Sequence, residues 1–505
     1  MKTIKYILSL AIVALFVFSC QDGFIAPPNP QPEIVPPEPP TAGSADFTKF
    51  VAIGNSLTAG FQAGALFNDG QKNSLPVLIH KAMDNLSGDF NQPDINSELG
   101  YSSFSDPDNN IYLGRLLLQG NPPQPTPQVS DASAVPSPLN SAFDYTGSTA
   151  DLNNFGVPGI LLGQALIPET GDWSLFQLDP RVNPFYARFA SSPGTSTILG
   201  DAMATSPTFF MFWLGNNDVL GYAIGGATDA DLGIFTSVAD FTTQYTGAMQ
   251  IITGGNTIKG VVANIPSVTD IPFFKAVSYD AVVFDTSDPD DAAKVESLNA
   301  GYAAYNAGLD QMVALTIITQ EEADRRKISF ENGNNPFVMI DEDLTDLTSF
   351  NPALVSMRQT EPTDLIPLTA ATVLPTGVGT STPAEDEYVL TPEEVAVIQQ
   401  RVDDFNAAIE SVLSSLSLND RVALVDVNTA FSDLATAGTI VESGVPLTLS
   451  FVPPGGAFSE DGVHPNTRGY AYTANLFIRA INAKFGSTLH ELNLGNYPGV
   501  ALPLP

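Results

Sequence analysis

The sequence predicts an α/β fold with a parallel sheet covered on both faces, and three observations carry that prediction. Short, almost wholly apolar runs recur along the chain, amphipathic helical patterns lie between them, and 44% of the 505 residues are apolar while only 15% are charged. A typical soluble domain carries about 25% charged residues, so this chain has ample material for a buried core. The first apolar run, Lys49 to Ile53, ends at Gly54. Others lie at Pro207 to Leu214, Lys259 to Ile265, Asn335 to Ile340 and Arg421 to Val427. Runs that are apolar throughout fit strands buried on both faces better than strands with one wet face.

The helices between them have their own signals. Leu75 to Leu86 reads as an amphipathic helix carrying His80. At Thr391-Pro392-Glu393-Glu394, a threonine N-cap, a proline in the first turn and Glu394 three residues on make a capping box. Val395, Ile398, Val402, Phe405, Ile409, Val412 and Leu416 then recur at steps of three and four, which is one apolar helix face. A last helix is expected over Thr467 to Phe485. Strands alternating with helices call for parallel crossovers. Two long segments, about 66–150 and 275–390, interrupt the rhythm and read as insertions in one α/β core spanning 47–490, followed by a tail over 491–505. The first contains a Pro-rich patch at Pro122 to Pro138, and the chain has no internal repeat.

The N-terminus reads as an address. Lys2 and Lys5 precede Ile7 to Phe18, an apolar run interrupted only by Ser9. Twelve residues span about 18 Å as a helix, short of the roughly 30 Å core of a bilayer. Residues 1–19 therefore read as a secretory signal peptide. The run ends Val17-Phe18-Ser19-Cys20, which resembles the lipobox of bacterial lipoproteins, and Cys20 is the chain's single cysteine. The resemblance implies cleavage before Cys20 and lipidation there, anchoring the chain to a membrane through acyl chains. Gln21 is compatible with sorting to the outer membrane. Pro27 to Pro40 holds eight prolines in fourteen residues, so residues 20–46 read as a lipidated, extended linker that cannot pack a core.

Composition also excludes partners and chemistries. With 55 acidic and 20 basic residues the net charge is −35, which repels nucleic acid. One cysteine allows no intrachain disulfide and no cysteine-based zinc site. Three histidines, His80, His464 and His490, leave little room for multi-histidine metal catalysis and point any metal towards a hard, oxygen-liganded one. The Asp-rich patches Asp106 to Asn110 and Asp288 to Asp291 lack the glycine and glutamate of an EF-hand loop and read as solvated loops.

Four short blocks carry the chemistry. Gly54-Asn55-Ser56-Leu57 follows the first strand, where small residues permit a sharp turn and a helix N-terminus favours developing negative charge. Asn153-Asn154-Phe155-Gly156-Val157-Pro158-Gly159 offers a glycine-bracketed loop with backbone N–H groups available to a ligand. Gly215-Asn216-Asn217-Asp218 ends the run at Leu214 and sets amide side chains at the sheet's C-terminal edge. Asp461-Gly462-Val463-His464 precedes the last helix and sets a carboxylate three residues from the one histidine with such a neighbour.

In this order the blocks resemble those of the SGNH/GDSL hydrolase family, and the chain also resembles its large lipobox-bearing members found in Bacteroidota, which carry long insertions between blocks. The resemblance implies a flavodoxin-like three-layer α/β/α sandwich and cofactor-free ester hydrolysis. It implies Ser56 as nucleophile, His464 as base and Asp461 as its orienting acid. The Ser56 and Gly159 backbone N–H groups and the Asn217 amide would form the oxyanion hole, with Gly156 as the alternative glycine. The family's aspartate in the first block is Asn55 here, which keeps the shape and loses the charge. Apolar stretches in the insertions, Leu113 to Leu118 and Ile271 to Phe274, favour acyl esters as substrates. The competing readings are a carbohydrate acetyl esterase, for which only Trp173 and Trp213 offer indole platforms, and a non-catalytic lipoprotein that binds nutrients.

Overall fold

A computed structural model describes residues 38–102, 112–120, 124–129, 144–176, 178–228, 233–254 and 257–501. The signal sequence, Cys20, most of the Pro-rich linker, Asp106 to Asn110 and much of the Pro122 to Pro138 patch lie outside the described residues. Residues Pro40–Pro505 form one compact unit.

Its frame is a five-stranded parallel sheet made of β1 (Phe50–Gly54), β2 (Asn154–Gly156), β3 (Phe209–Trp213), β4 (Lys259–Ala263) and β5 (Val422–Val425). The spatial order is β2-β1-β3-β4-β5. Gly54 pairs with both Gly156 and Trp213, so the C-terminal ends of β1, β2 and β3 lie level.

Successive side chains of each strand feed two separate cores. Val51, Ile53, Phe210, Phe212 and Val262 point to one face. There they meet α3 (Ile198–Ala204), α4 (Asn217–Ile224), α5 (Val238–Thr253) and α7 (Pro392–Ser415). Phe50, Ala52, Phe209, Met211 and Val261 point the other way, into α2 (Leu75–Met83) and α8 (Thr467–Phe485). Both faces are thus covered, an arrangement compatible with a three-layer α/β/α sandwich. Two further helices complete the set used below: α1 (Ser56–Ala59) and α6 (Pro289–Ala314).

The expected capping box closes α7. The Thr391 side chain accepts the Glu394 N–H, and Glu394 accepts the Thr391 N–H at 2.7 Å. Asp288 likewise caps α6 by accepting the Asp290 N–H at 2.8 Å, and Asp291 pairs with Lys294. The helix α8 has the predicted bounds.

Four expectations need correction. The run Asn335 to Ile340 is not a sheet strand. Pro336 has no N–H to give a ladder, and the run splits into Gly333–Asn335, paired antiparallel with Val282–Phe284, and Val338–Ile340, paired antiparallel with Met357–Gln359. The fifth strand is instead β2, where a single strand-favouring Phe155 stands between strand-poor Asn154 and Gly156. The segment 66–150 is only partly insertion, because it contains α2, whose Leu75, Leu78 and Ile79 cover the sheet. The folded unit also starts before 47 and runs past 490. Ser44 N–H bonds the Phe485 carbonyl at 2.8 Å, and Leu494 is fully buried. The segment 275–390 carries two small cores of its own, one built on Tyr302, Tyr305 and Leu309 of α6.

The core of α7 gives a stability test. Phe405 is fully buried and stacks on Phe241 of α5 with ring centroids 3.9 Å apart. Phe405→Ala is expected to cost about 3–5 kcal/mol, and Thr391→Ala about 1 kcal/mol, in urea unfolding.

Candidate active site

The chemistry-bearing blocks converge at the C-terminal edge of the sheet, where ligands bind in open α/β folds. β1 ends at Gly54, whose missing Cβ lets the Thr58 side chain sit within 2.0 Å of where that atom would stand. The chain then turns directly into α1. Asn55 is the N-cap of α1, its Oδ1 accepting the Leu57 N–H at 3.0 Å. The capping role needs only an acceptor oxygen, so Asn55 fills it without placing a negative charge beside Ser56. Ser56 is the first residue of α1, and its N–H therefore has no acceptor inside the helix.

His464 Nε2 lies 2.9 Å from Ser56 Oγ, and its Nδ1 lies 2.9 Å from Asp461 Oδ2. A carboxylate only accepts, so Nδ1 carries the proton and Nε2 is left to accept the serine hydroxyl. Phe61 packs on the imidazole with ring centroids 4.9 Å apart.

Asp461 is held by five donors. Its Oδ1 accepts the N–H groups of Val463 and His464 at 2.9 Å each and the Ser459 hydroxyl at 3.1 Å. Its Oδ2 accepts the Gly64 N–H at 2.7 Å as well as His464 Nδ1. Burial pushes this carboxyl up, but the neighbouring His464 and the donated hydrogen bonds outweigh it and hold Asp461 below the ordinary carboxylate range.

Asn217 opens α4, and its Nδ2 donates to the Ile160 carbonyl at 2.9 Å. An amide has two N–H groups, so one anchors the side chain and the second is available. The same bond ties α4 to the turn containing Gly159. Gly159 has φ +74° and is exposed, with open space where a Cβ would stand. Gly156 is differently occupied. Its N–H goes to Asn154 Oδ1 at 2.9 Å, and a Cβ there would lie 2.3 Å from the Ala59 nitrogen. Gly156 is thus a packing glycine between β2 and α1, not an available donor.

Ser56, His464 and Asn217 line a narrow pocket with a cavity volume of about 60 Å³. Its walls are mostly apolar, including Leu57, Trp213, Leu220, Ile271, Val427 and Phe431. Trp213 is spent on the strand, its indole N–H bonding the Asn264 carbonyl at 3.0 Å. Of the apolar stretches expected to shelter an acyl chain, Ile271 lines the pocket. Phe273 and Phe274 are buried in the core, and Leu113 to Leu118 forms a hairpin strand outside the lining. His80 bonds the Gly88 carbonyl and packs on Phe90, and His490 is exposed.

Ala63, Gly64, Ser459 and Tyr470 support the site without having been legible in the sequence. Ala63 N–H bonds Ser459 Oγ at 2.8 Å across 396 residues, and Tyr470 donates to the Phe61 carbonyl at 2.6 Å. Away from the pocket, Glu342, Asp386 and Glu394 bring carboxylate oxygens within 4.8 Å of one another. No protein-family model matches the chain, and no curated protein matches it.

The carboxyl groups set opposite pH dependences. Burial and like charge push Glu460 and Glu394 up to about 7 and Asp386 up to about 8. Groups raised on folding favour the folded state below their unfolded pKa of about 4, and that advantage is lost as pH rises through 7–8. Unfolding midpoints are therefore expected to rise from pH 8 to pH 6, with a flatter profile in Asp386→Asn. Asp461 has the opposite sign. Its contribution is present above about 4 and is lost as pH falls through its lowered pKa.

Proposed function

We propose that the chain is a serine ester hydrolase of the SGNH/GDSL type that acts on acyl esters. The observation that carries this reading is the continuous relay from Ser56 through His464 to Asp461, opening on an apolar pocket. The sheet order β2-β1-β3-β4-β5 supports the flavodoxin-like arrangement that the reading calls for. The lone Cys20 at the end of the apolar leader supports an exported lipoprotein anchored by acyl chains, in the outer membrane by this reading. The apolar walls favour an acyl group over a sugar ring.

In the proposed reaction Ser56 Oγ attacks the ester carbonyl while His464 Nε2 takes its proton. Asp461 keeps the proton of Nδ1 facing it and stabilises the imidazolium. The carbonyl oxygen becomes an oxyanion, received by the Ser56 and Gly159 N–H groups and the second N–H of Asn217. The tetrahedral adduct collapses, the alkoxide leaves with the proton from His464, and the acyl group stays on Ser56. Water, deprotonated by His464, then releases the carboxylic acid and regenerates the serine. Pinning one Asn217 hydrogen to Ile160 orients the other in advance, which is how a donor stabilises charge without reorganising.

Two experiments test the reading. A fluorophosphonate probe is expected to label the wild type and not Ser56→Ala, and equal labelling removes Ser56 as the nucleophile. Asn217→Ala is expected to lower kcat on p-nitrophenyl butyrate by a factor of about 10² to 10³ with little change in KM, as for loss of one oxyanion donor.

A further inference from the structure

Asp218 follows Asn217 in the first turn of α4 and is fully buried. The relay of Ser56, His464 and Asp461 makes no use of it. A buried carboxylate is tolerable only where donors hold it. Its Oδ2 accepts the Leu162 N–H at 2.9 Å, and its Oδ1 accepts the Thr236 hydroxyl at 2.7 Å. Burial pushes the carboxyl up to about 6, so in mildly alkaline solution it is ionised and both oxygens accept.

The partners of Asp218 lie on the elements that Asn217 meets. Asn217 donates to the Ile160 carbonyl, and Leu162, two residues further on, donates to Asp218. Two consecutive residues of α4 therefore grip one turn at two points, and that turn carries Gly159. A single hydrogen bond leaves helix and turn free to pivot about it. A second bond from the neighbouring residue fixes the angle between them as well as the distance. Thr236 extends the grip to the segment that enters α5. Its N–H bonds the Asp218 carbonyl at 3.1 Å, and Arg401 of α7 donates to the Thr236 carbonyl.

We infer that Asp218 is the positioning residue of the oxyanion hole, holding the start of α4 against the Gly159 turn so that the second N–H of Asn217 keeps its aim. The inference rests on the ester-hydrolase reading and deepens it. Asp218 does not line the pocket, so it acts through Asn217 and not on the ester. A donor stabilises a forming oxyanion fully only when it is oriented before the charge appears. Misplacing such a donor weakens an interaction made in the transition state and leaves ground-state binding alone. The effect of losing Asp218 therefore falls on kcat.

Kinetics on p-nitrophenyl butyrate test the inference, with folded enzyme counted by the serine that a fluorophosphonate labels at completion. Asp218→Ala is expected to lower kcat by about tenfold or more and to leave KM within about twofold. Asp218→Asn keeps an oxygen for the Leu162 N–H and is expected to hold kcat within about threefold of wild type. In an Asn217→Ala background the donor is already gone, so adding Asp218→Ala is expected to cost about threefold or less. Thr236→Val withdraws one donor without stranding the Leu162 N–H, and decides the matter alone if Asp218→Ala does not fold. It is expected to lower kcat by about twofold or more, a loss absent from the Asn217→Ala background. Wild-type kcat in Asp218→Ala or in Thr236→Val overturns the inference. So does an Asp218→Asn enzyme as impaired as Asp218→Ala, or the full loss repeated in the Asn217→Ala background. Those results leave the hydrolase reading standing as long as the probe labels the wild type and not Ser56→Ala. Equal labelling of those two overturns both.

Discussion

The arrangement of the site depends on one buried carboxylate. Asp461 is charged in a place where charge is costly, and it is stable there because five donors surround it. Three of the donors come from its own loop, the N–H groups of Val463 and His464 and the Ser459 hydroxyl, so that loop is wound around the carboxylate. The fourth, Gly64 N–H, comes from the chain just past α1, 397 residues earlier. The fifth is the imidazole itself. Fixing the carboxylate therefore fixes three things at once: the fold of the histidine loop, the seating of that loop on the segment that follows Ser56, and the tautomer that turns Nε2 towards the serine. The Ala63–Ser459 and Tyr470–Phe61 bonds brace the same junction from either side.

The serine side is assembled by shorter-range rules. A parallel sheet delivers strand ends to one edge, and tight glycine turns convert strand into helix there without spending length. Gly54 makes room for Thr58, Gly156 lets β2 approach α1, and Gly215 makes room for Phe241 and Ile265. Each of these glycines is a packing requirement, and the consequence is that the following residues, Ser56 and Asn217, begin their helices at the edge. Helix starts present unbonded N–H groups, and an incipient oxyanion is drawn to them. Asn55 suits this setting, because its Oδ1 caps α1 without placing a charge beside Ser56.

This division explains what was legible in the sequence. Elements defined by local chemistry were read closely. The α7 capping box, α8 with its bounds, and the strands β1, β3, β4 and β5 all announce themselves through apolar periodicity or cap residues. Ser56, Asp461 and His464, which the fold brings within hydrogen-bond distance of one another, also lie in compact blocks whose small residues have a local reason. β2 was not legible as a strand. Its three residues pair with β1 through position alone, and its Asn154 side chain serves the backbone of Thr58 and Gly156. Asn335 to Ile340 misled in the opposite direction, since its apolar content was real but Pro336 divided the ladder. The donors from Ala63, Gly64 and Ser459 were out of reach for a different reason. Their meaning lies in partners hundreds of residues away, and nothing local marks a glycine whose N–H is to meet a distant carboxylate.

The segment 275–390 is joined to this chemistry by backbone, which changes how its length is to be understood. Gly462, inside the histidine loop, has φ +70°, and its carbonyl accepts the Phe273 N–H at 2.9 Å. The Phe273 carbonyl in turn accepts the Leu368 N–H at 2.7 Å. Two consecutive hydrogen bonds thus run from the loop holding His464 into the insertion. The insertion has its own small cores around α6 and around Phe337 and Met339. It also encloses a fully buried Arg358, paired with Asp341 at 2.5 Å and Asp364 at 2.6 Å. A buried ion network of this kind tolerates little rearrangement, since losing one partner strands a charge. Leu368 follows Asp364 by four residues, so the network lies close along the chain to the bond that leads through Phe273 to Gly462. The insertion is therefore fastened by backbone to the loop that carries His464, with Phe273 as the link.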